Sequence, residues 1–183
     1  MSSTKPTSIL PVLFATLALG MAGAVTGCTV SVEADVPDVQ ITQRGLTFEG
    51  VPATGGDASM TKSYSQQHSK LDLPSQLDTE VKTLAVTLTA TGGVSDLSFI
   101  HFLSVSMSAD GDGDPVVIGS YEPTTGATVG NQISLTTLNP VNVLDAWKTD
   151  TATFTLQIAG ALPTSDWTGD VSVDLSGTAK YTY

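Results

Sequence analysis

Apolar and polar residues alternate along most of this chain with a period of two. In Thr83–Thr91, Leu84, Val86, Leu88 and Ala90 fall on one side, and Thr83, Thr87, Thr89 and Thr91 on the other. Thr151–Ala159 repeats the pattern, with Ala152, Phe154, Leu156 and Ile158 set against Thr151, Thr153, Thr155 and Gln157. In Val171–Tyr183, Val171, Val173, Leu175, Ala179, Tyr181 and Tyr183 oppose Ser172, Asp174, Ser176, Thr178, Lys180 and Thr182. Successive strand residues point to opposite faces, so this spacing predicts β-strands with one dry and one wet face. Threonine suits the wet face because it is both β-branched and polar. Further strands are predicted at Val39–Glu49, Thr61–Leu71, Leu97–Ser108, Val116–Tyr121 and Gln132–Leu138.

Turn residues separate these runs: Gly50-Val51-Pro52, Gly55-Gly56-Asp57, Gly92-Gly93, Asp110–Pro115, Asn139-Pro140 and Pro163-Thr164-Ser165. No segment longer than about ten residues holds a 3.6-residue apolar period, and only Val143–Trp147 suggests a helical turn. About eight strands with one dry face each predict an all-β fold. Two sheets would pack as a single β-sandwich, immunoglobulin-like or of a similar Greek-key type. The polar run Lys62-Ser63-Tyr64-Ser65-Gln66-Gln67-His68-Ser69-Lys70 reads as an edge strand, its lysines discouraging further pairing. A membrane β-barrel would also alternate, but it needs aromatic girdles, and aromatics are 6% here.

The first 28 residues break the pattern. Lys5 precedes an apolar stretch from Ile9 through Val25, and small residues lead to Cys28. A charged start, an apolar middle and a small-residue exit make a secretory signal peptide. Within it, Val25-Thr26-Gly27-Cys28 resembles the lipobox of bacterial lipoproteins. The resemblance covers the leader alone. It implies cleavage before Cys28, diacylglyceryl attachment to its thiol and acylation of the new amino terminus. Several acyl chains on one residue anchor firmly, since each buried CH₂ contributes about 0.8 kcal/mol. Thr29 stands where Asp signals inner-membrane retention in such lipoproteins, so the outer membrane is the expected location. The expected division is residues 1–27 as signal peptide, 28–38 as lipidated Cys and tether, and 39–183 as the sandwich.

Composition then narrows the function. The chain has 183 residues, with 18 acidic against 7 basic ones and a net charge of −11. Nucleic-acid binding needs Lys and Arg to neutralise phosphates, so no nucleic-acid partner is expected. The lipobox resemblance implies that the one Cys is taken by lipid, which would leave no disulfide, thiol nucleophile or Cys-ligated metal. Only His68 and His101 could serve as a catalytic base, and no Gly-x-Ser-x-Gly elbow, His-Glu-x-x-His motif or phosphate loop is present. Both histidines have bland readings, His68 on the wet polar strand and His101 on the apolar face with Leu97, Leu103 and Val105. No catalytic residues are assigned, and a non-enzyme is expected.

Two features carry chemistry. Asp110-Gly111-Asp112-Gly113-Asp114 sets three carboxylates at alternate positions, a way to gather oxygen ligands for Ca²⁺. Pro115 stands where an EF-hand loop needs Gly, so the choice lies between a smaller Ca²⁺ loop and a hairpin turn. Trp147 and Trp167, each near a turn, are candidate ligand contacts or plugs at the end of the core. The expected function is a lipid-anchored, non-enzymatic envelope module with an adhesion, structural or assembly role. Its partners would be the membrane through Cys28 and an envelope protein or glycan. Carbohydrate or peptide binding, and calcium-dependent adhesion through Asp110, Asp112 and Asp114, are the alternatives.

Overall fold

The computed structural model describes residues 31–53, 56–68, 77–109, 114–124, 129–137, 143 and 149–182. The signal peptide, Cys28, Asp110, Asp112 and Trp147 lie outside the described residues. Eight strands follow in order: β1 Ser31–Phe48, β2 Ala58–Gln67, β3 Leu77–Gly92, β4 Ile100–Ala109, β5 Val116–Tyr121, β6 Gln132–Leu135, β7 Thr151–Gly160 and β8 Trp167–Thr182. Each corresponds to a strand predicted from alternation or punctuation, and β5 matches to the residue.

The strands form two four-stranded antiparallel sheets, β1-β8-β3-β6 and β2-β7-β4-β5. Within them β1 pairs with β8, β2 with β7, β3 with β6 and β4 with β5. This is one long hairpin wound on itself, the double-sheet jelly-roll form of the Greek-key sandwich rather than the immunoglobulin form. Ser120 and Thr136 exchange backbone hydrogen bonds of 3.0 and 2.8 Å, which stitch β5 to β6 across one seam. At the other seam β1 and β2 are sheet edges. The polar run around Lys62 is therefore an edge strand, as its composition predicts.

Both sheets bury the expected faces. Phe154, Leu156 and Ile158 of β7 and Val171, Val173 and Leu175 of β8 belong to one core with Leu103, Val105, Met107, Val86 and Leu88. Burying each such side chain stabilises the fold by about 1.5–3 kcal/mol.

Three sequence expectations need correction. Leu84 is 52% exposed while Thr83 is buried, because a bulge between Thr83 and Ala85 shifts the phase of β3 by one residue. His101 does not share the buried face of Leu103 and Val105. It is the extra residue of a bulge between Ile100 and Phe102, and its side chain is 48% exposed. Finally, β1 begins at Ser31, inside the span read as a tether. Val32, Ala34 and Val36 alternate with Ser31, Glu33 and Asp35, and this stretch pairs with the end of β8 up to a bulge at Pro37. Acid density and Pro37 suggest a tether; the alternation is the better guide.

The pairings define two poles. At the upper pole Phe48, Gly92, Tyr121 and Gly160 end their strands, and Ala58, Ile100, Gln132 and Trp167 begin theirs. The connections β1–β2, β3–β4, β5–β6 and β7–β8 leave from there. At the lower pole lie Ser31, Gln67, Leu77, Ala109, Val116, Leu135, Thr151 and Thr182.

Candidate functional site

The upper pole is built on an aromatic plug. Trp167 opens β8 and is 1% exposed. It stacks on Phe48 with centroids 4.0 Å apart and takes the edge of Phe99 at 5.5 Å and 76°. Stacked and T-shaped pairs each add about 0.5–1.5 kcal/mol beyond burial. Trp167 is therefore a core residue and offers no surface to a ligand, which corrects its assignment as a contact.

Above the plug, the β1–β2 and β7–β8 connections are tied together. Val51 N–H donates to Pro163 O at 2.9 Å, and Gly50 N–H donates to Asp166 Oδ1 at 2.8 Å. The approach is so close that a Cβ on Gly50 would collide with Thr164 O and lie 2.8 Å from Ser165 N, so only glycine fits. Between the two connections opens a cleft of about 410 Å³. Its walls include Val51, Pro52, Ala53, Ala58, Ala161 and Leu162, with Asp57 and Thr164 as polar members. Concave sites for small ligands and side chains run from about 300 to 1,000 Å³ and are mostly apolar with few polar groups.

His101 stands beside the cleft. Its Nδ1 lies 3.0 Å from Asp57 Oδ2, and the two side chains are 48% and 60% exposed. Donation from Nδ1–H to the carboxylate leaves the lone pair of the neutral ring on Nε2. Among the described residues no hydroxyl is bonded to this imidazole, and no three His, Cys, Asp or Glu side chains are grouped for a metal. Asp96, in the β3–β4 connection, accepts hydrogen bonds from both the hydroxyl and the backbone N–H of Ser98. These bonds hold its carboxyl below the usual aspartate range.

The other sequence-predicted residues are dispersed. Asp114 is exposed, just before β5 at the lower pole. His68, expected in solvent, is half-buried at the end of β2, and its backbone N–H donates to Asp150 O at 3.1 Å. The sequence reading missed Asp57 and the cleft. Gly55-Gly56-Asp57 reads as turn punctuation alone, and nothing local shows that a turn will meet a bulge 44 residues later.

No protein-family model matches this chain, and none of the curated proteins matches it. Among solved structures, it is similar to that of infectious bursal disease virus Gx strain, with a TM-score of 0.28 and 12% identity over 94% of this chain and 42% of the other. The infectious bursal disease virus VP2 subviral particle gives 0.25 and 10%, over 84% and 37%. The Gt strain gives 0.23 and 9%, over 94% and 40%. The chain spans less than half the length of these viral chains, and at such scores the likeness carries no functional weight.

Proposed function

We propose that this protein is a lipid-anchored, non-enzymatic module of a bacterial envelope, expected at the outer membrane, with an adhesion, structural or assembly role. The observation that carries this reading is the position of Ser31. Strand β1 starts there, at the lower pole, three residues after Cys28. Three extended residues reach about 10 Å. A lipid on Cys28 would hold the lower pole against the head groups and turn the upper pole, with its cleft, away from the membrane. The acidic body would be repelled by anionic head groups, which favours this upright stance over one lying flat.

The test is metabolic labelling with palmitate, followed by membrane fractionation, for the wild-type chain and Cys28→Ser. Labelled protein in the membrane fraction, with label and membrane association both lost in Cys28→Ser, is the expected result. An unlabelled mature chain released from the membrane would overturn the anchor. A binding role is favoured over a purely structural one by the cleft at the pole opposite Ser31.

A further inference from the structure

We propose that the upper cleft docks a basic polypeptide segment, an apolar side chain of the partner entering the cleft while flanking Lys or Arg residues meet Asp57 and the other carboxylates of the same pole. Two observations combine. The first is the cleft itself, apolar on most of its lining and held open by the Val51–Pro163 and Gly50–Asp166 hydrogen bonds. Little ordering remains to oppose binding when the walls are fixed beforehand.

The second is the charge of the pole that carries it. The four connections of this pole carry Glu49, Asp57, Asp96, Glu122 and Asp166 and contain neither Lys nor Arg. Glu49, Asp57, Glu122 and Asp166 are exposed. Among the described residues the basic ones stand within the strands instead, Arg44 on β1, Lys62 on β2, Lys82 on β3 and Lys180 on β8. A pole of one sign draws in opposite charge and speeds encounter, while the apolar pocket holds what arrives. Asp57 belongs to both features, lining the cleft and carrying charge at its rim.

The same field selects against other occupants. A second copy of this chain brings a like-charged pole of its own and a net charge of −11. An anionic glycan is repelled in the same way. This inference rests on the proposed membrane stance only for its setting. Binding by the purified chain is read without a membrane, so a failed palmitate experiment and a failed binding experiment are distinguishable.

The test pans a random heptapeptide phage library on the full chain in detergent micelles and measures the strongest selected peptide by fluorescence anisotropy. Selected sequences are expected to place Lys or Arg beside Leu, Ile, Val or Phe. Ala161→Trp fills the cleft without changing charge and should weaken binding about tenfold or more, the loss of one buried apolar side chain. Asp57→Asn should weaken it about two- to fivefold, as for an exposed charge pair. Ala53→Trp is a second cleft-filling variant should Ala161→Trp fold poorly. The proposal is overturned by no enrichment over bare micelles, by selected peptides without basic residues, or by basic peptides that bind both cleft-filled variants unchanged, since those would be held by diffuse charge alone. Loss of binding in EGTA would also overturn it, by making a metal ion the ligand.

Discussion

Gly160 ends β7 with φ at 151°, a region that only glycine occupies without strain. A Cβ there would collide with Phe99 O and lie 2.8 Å from His101 N. Both are backbone atoms, so no side-chain rotation relieves the contact. Gly160→Ala must push Phe99 and the β4 bulge away. That breaks the 2.9 Å bond from Ala161 N–H to Phe99 O, a loss of about 1 kcal/mol. It also disturbs the edge contact of Phe99 on Trp167, about 0.5–1.5 kcal/mol, and adds about 1–3 kcal/mol of backbone strain. The expected destabilisation is about 3–5 kcal/mol, a large share of a domain stability of about 5–15 kcal/mol. The melting midpoint should fall by about 10 °C or more. Gly45→Ala is the internal control, since Gly45 has φ 64° but nothing within 4 Å of its Cβ site. It should lose only the left-handed backbone penalty of about 1–2 kcal/mol. Urea unfolding followed by tryptophan fluorescence measures both. If Gly160→Ala is no less stable than Gly45→Ala, the β4 bulge is not pinned by close packing and the account of how His101 reaches the surface fails.

Three further outcomes are expected. Lys62 sits on the half-buried side of edge strand β2, where a charge opposes pairing with another chain; Lys62→Val should produce concentration-dependent dimers or aggregates by size-exclusion chromatography with light scattering, and a strictly monomeric variant would refute its guarding role. Burial, with Phe154 stacked 5.2 Å away, raises the Tyr64 phenol above its ordinary value of about 10. The unfolded chain then loses this proton first, so the stability contributed is present below pH about 10 and is lost as pH rises beyond it; Tyr64→Phe should extend the alkaline limit of folding, and an unchanged alkaline midpoint would count against that burial. Calcium decides the loop from Asp110 to Asp114: an ion held at 100 times its Kd adds about 2.7 kcal/mol, or about 5–10 °C in midpoint over EGTA. A rise abolished by Asp112→Asn makes the loop an ion site, and an unmoved midpoint makes it a hairpin turn.

The strands were legible because each buries one face, and that requirement writes itself into the sequence at period two. Thr151–Ala159 is the clearest instance, with Ala152, Phe154, Leu156 and Ile158 all buried. The winding was not legible. Alternation states that a strand has a dry face but not which strand lies beside it, so β1 against β8 and β2 against β7 follow from global packing rather than from any local run. Bulges were hidden for a related reason. An inserted residue leaves composition untouched and only shifts phase, as Leu84 and His101 do. At β1 the masking worked in reverse: three acids and Pro37 obscured an alternation that continues down to Ser31.

The candidate site was less legible than the fold because its parts depend on one another across the chain. His101 is exposed because a bulge inserts it, and that bulge faces Gly160, where there is no side chain to collide with it. Asp57 meets it because β2 begins opposite the same glycine, Ala58 pairing with Gly160. The cleft in turn needs Gly50 to pass close to Thr164. In the sequence these glycines are punctuation, indistinguishable from those that merely turn the chain. In the fold they are the places where two backbones must approach more closely than any side chain permits. Substituting Gly160 therefore strikes the packing of β4 and the His101–Asp57 pair together, while Ala161→Trp, one residue later, closes the cleft and leaves that packing alone. A loss of peptide binding in both variants, with a loss of stability only in the first, is the pattern that this coupling requires.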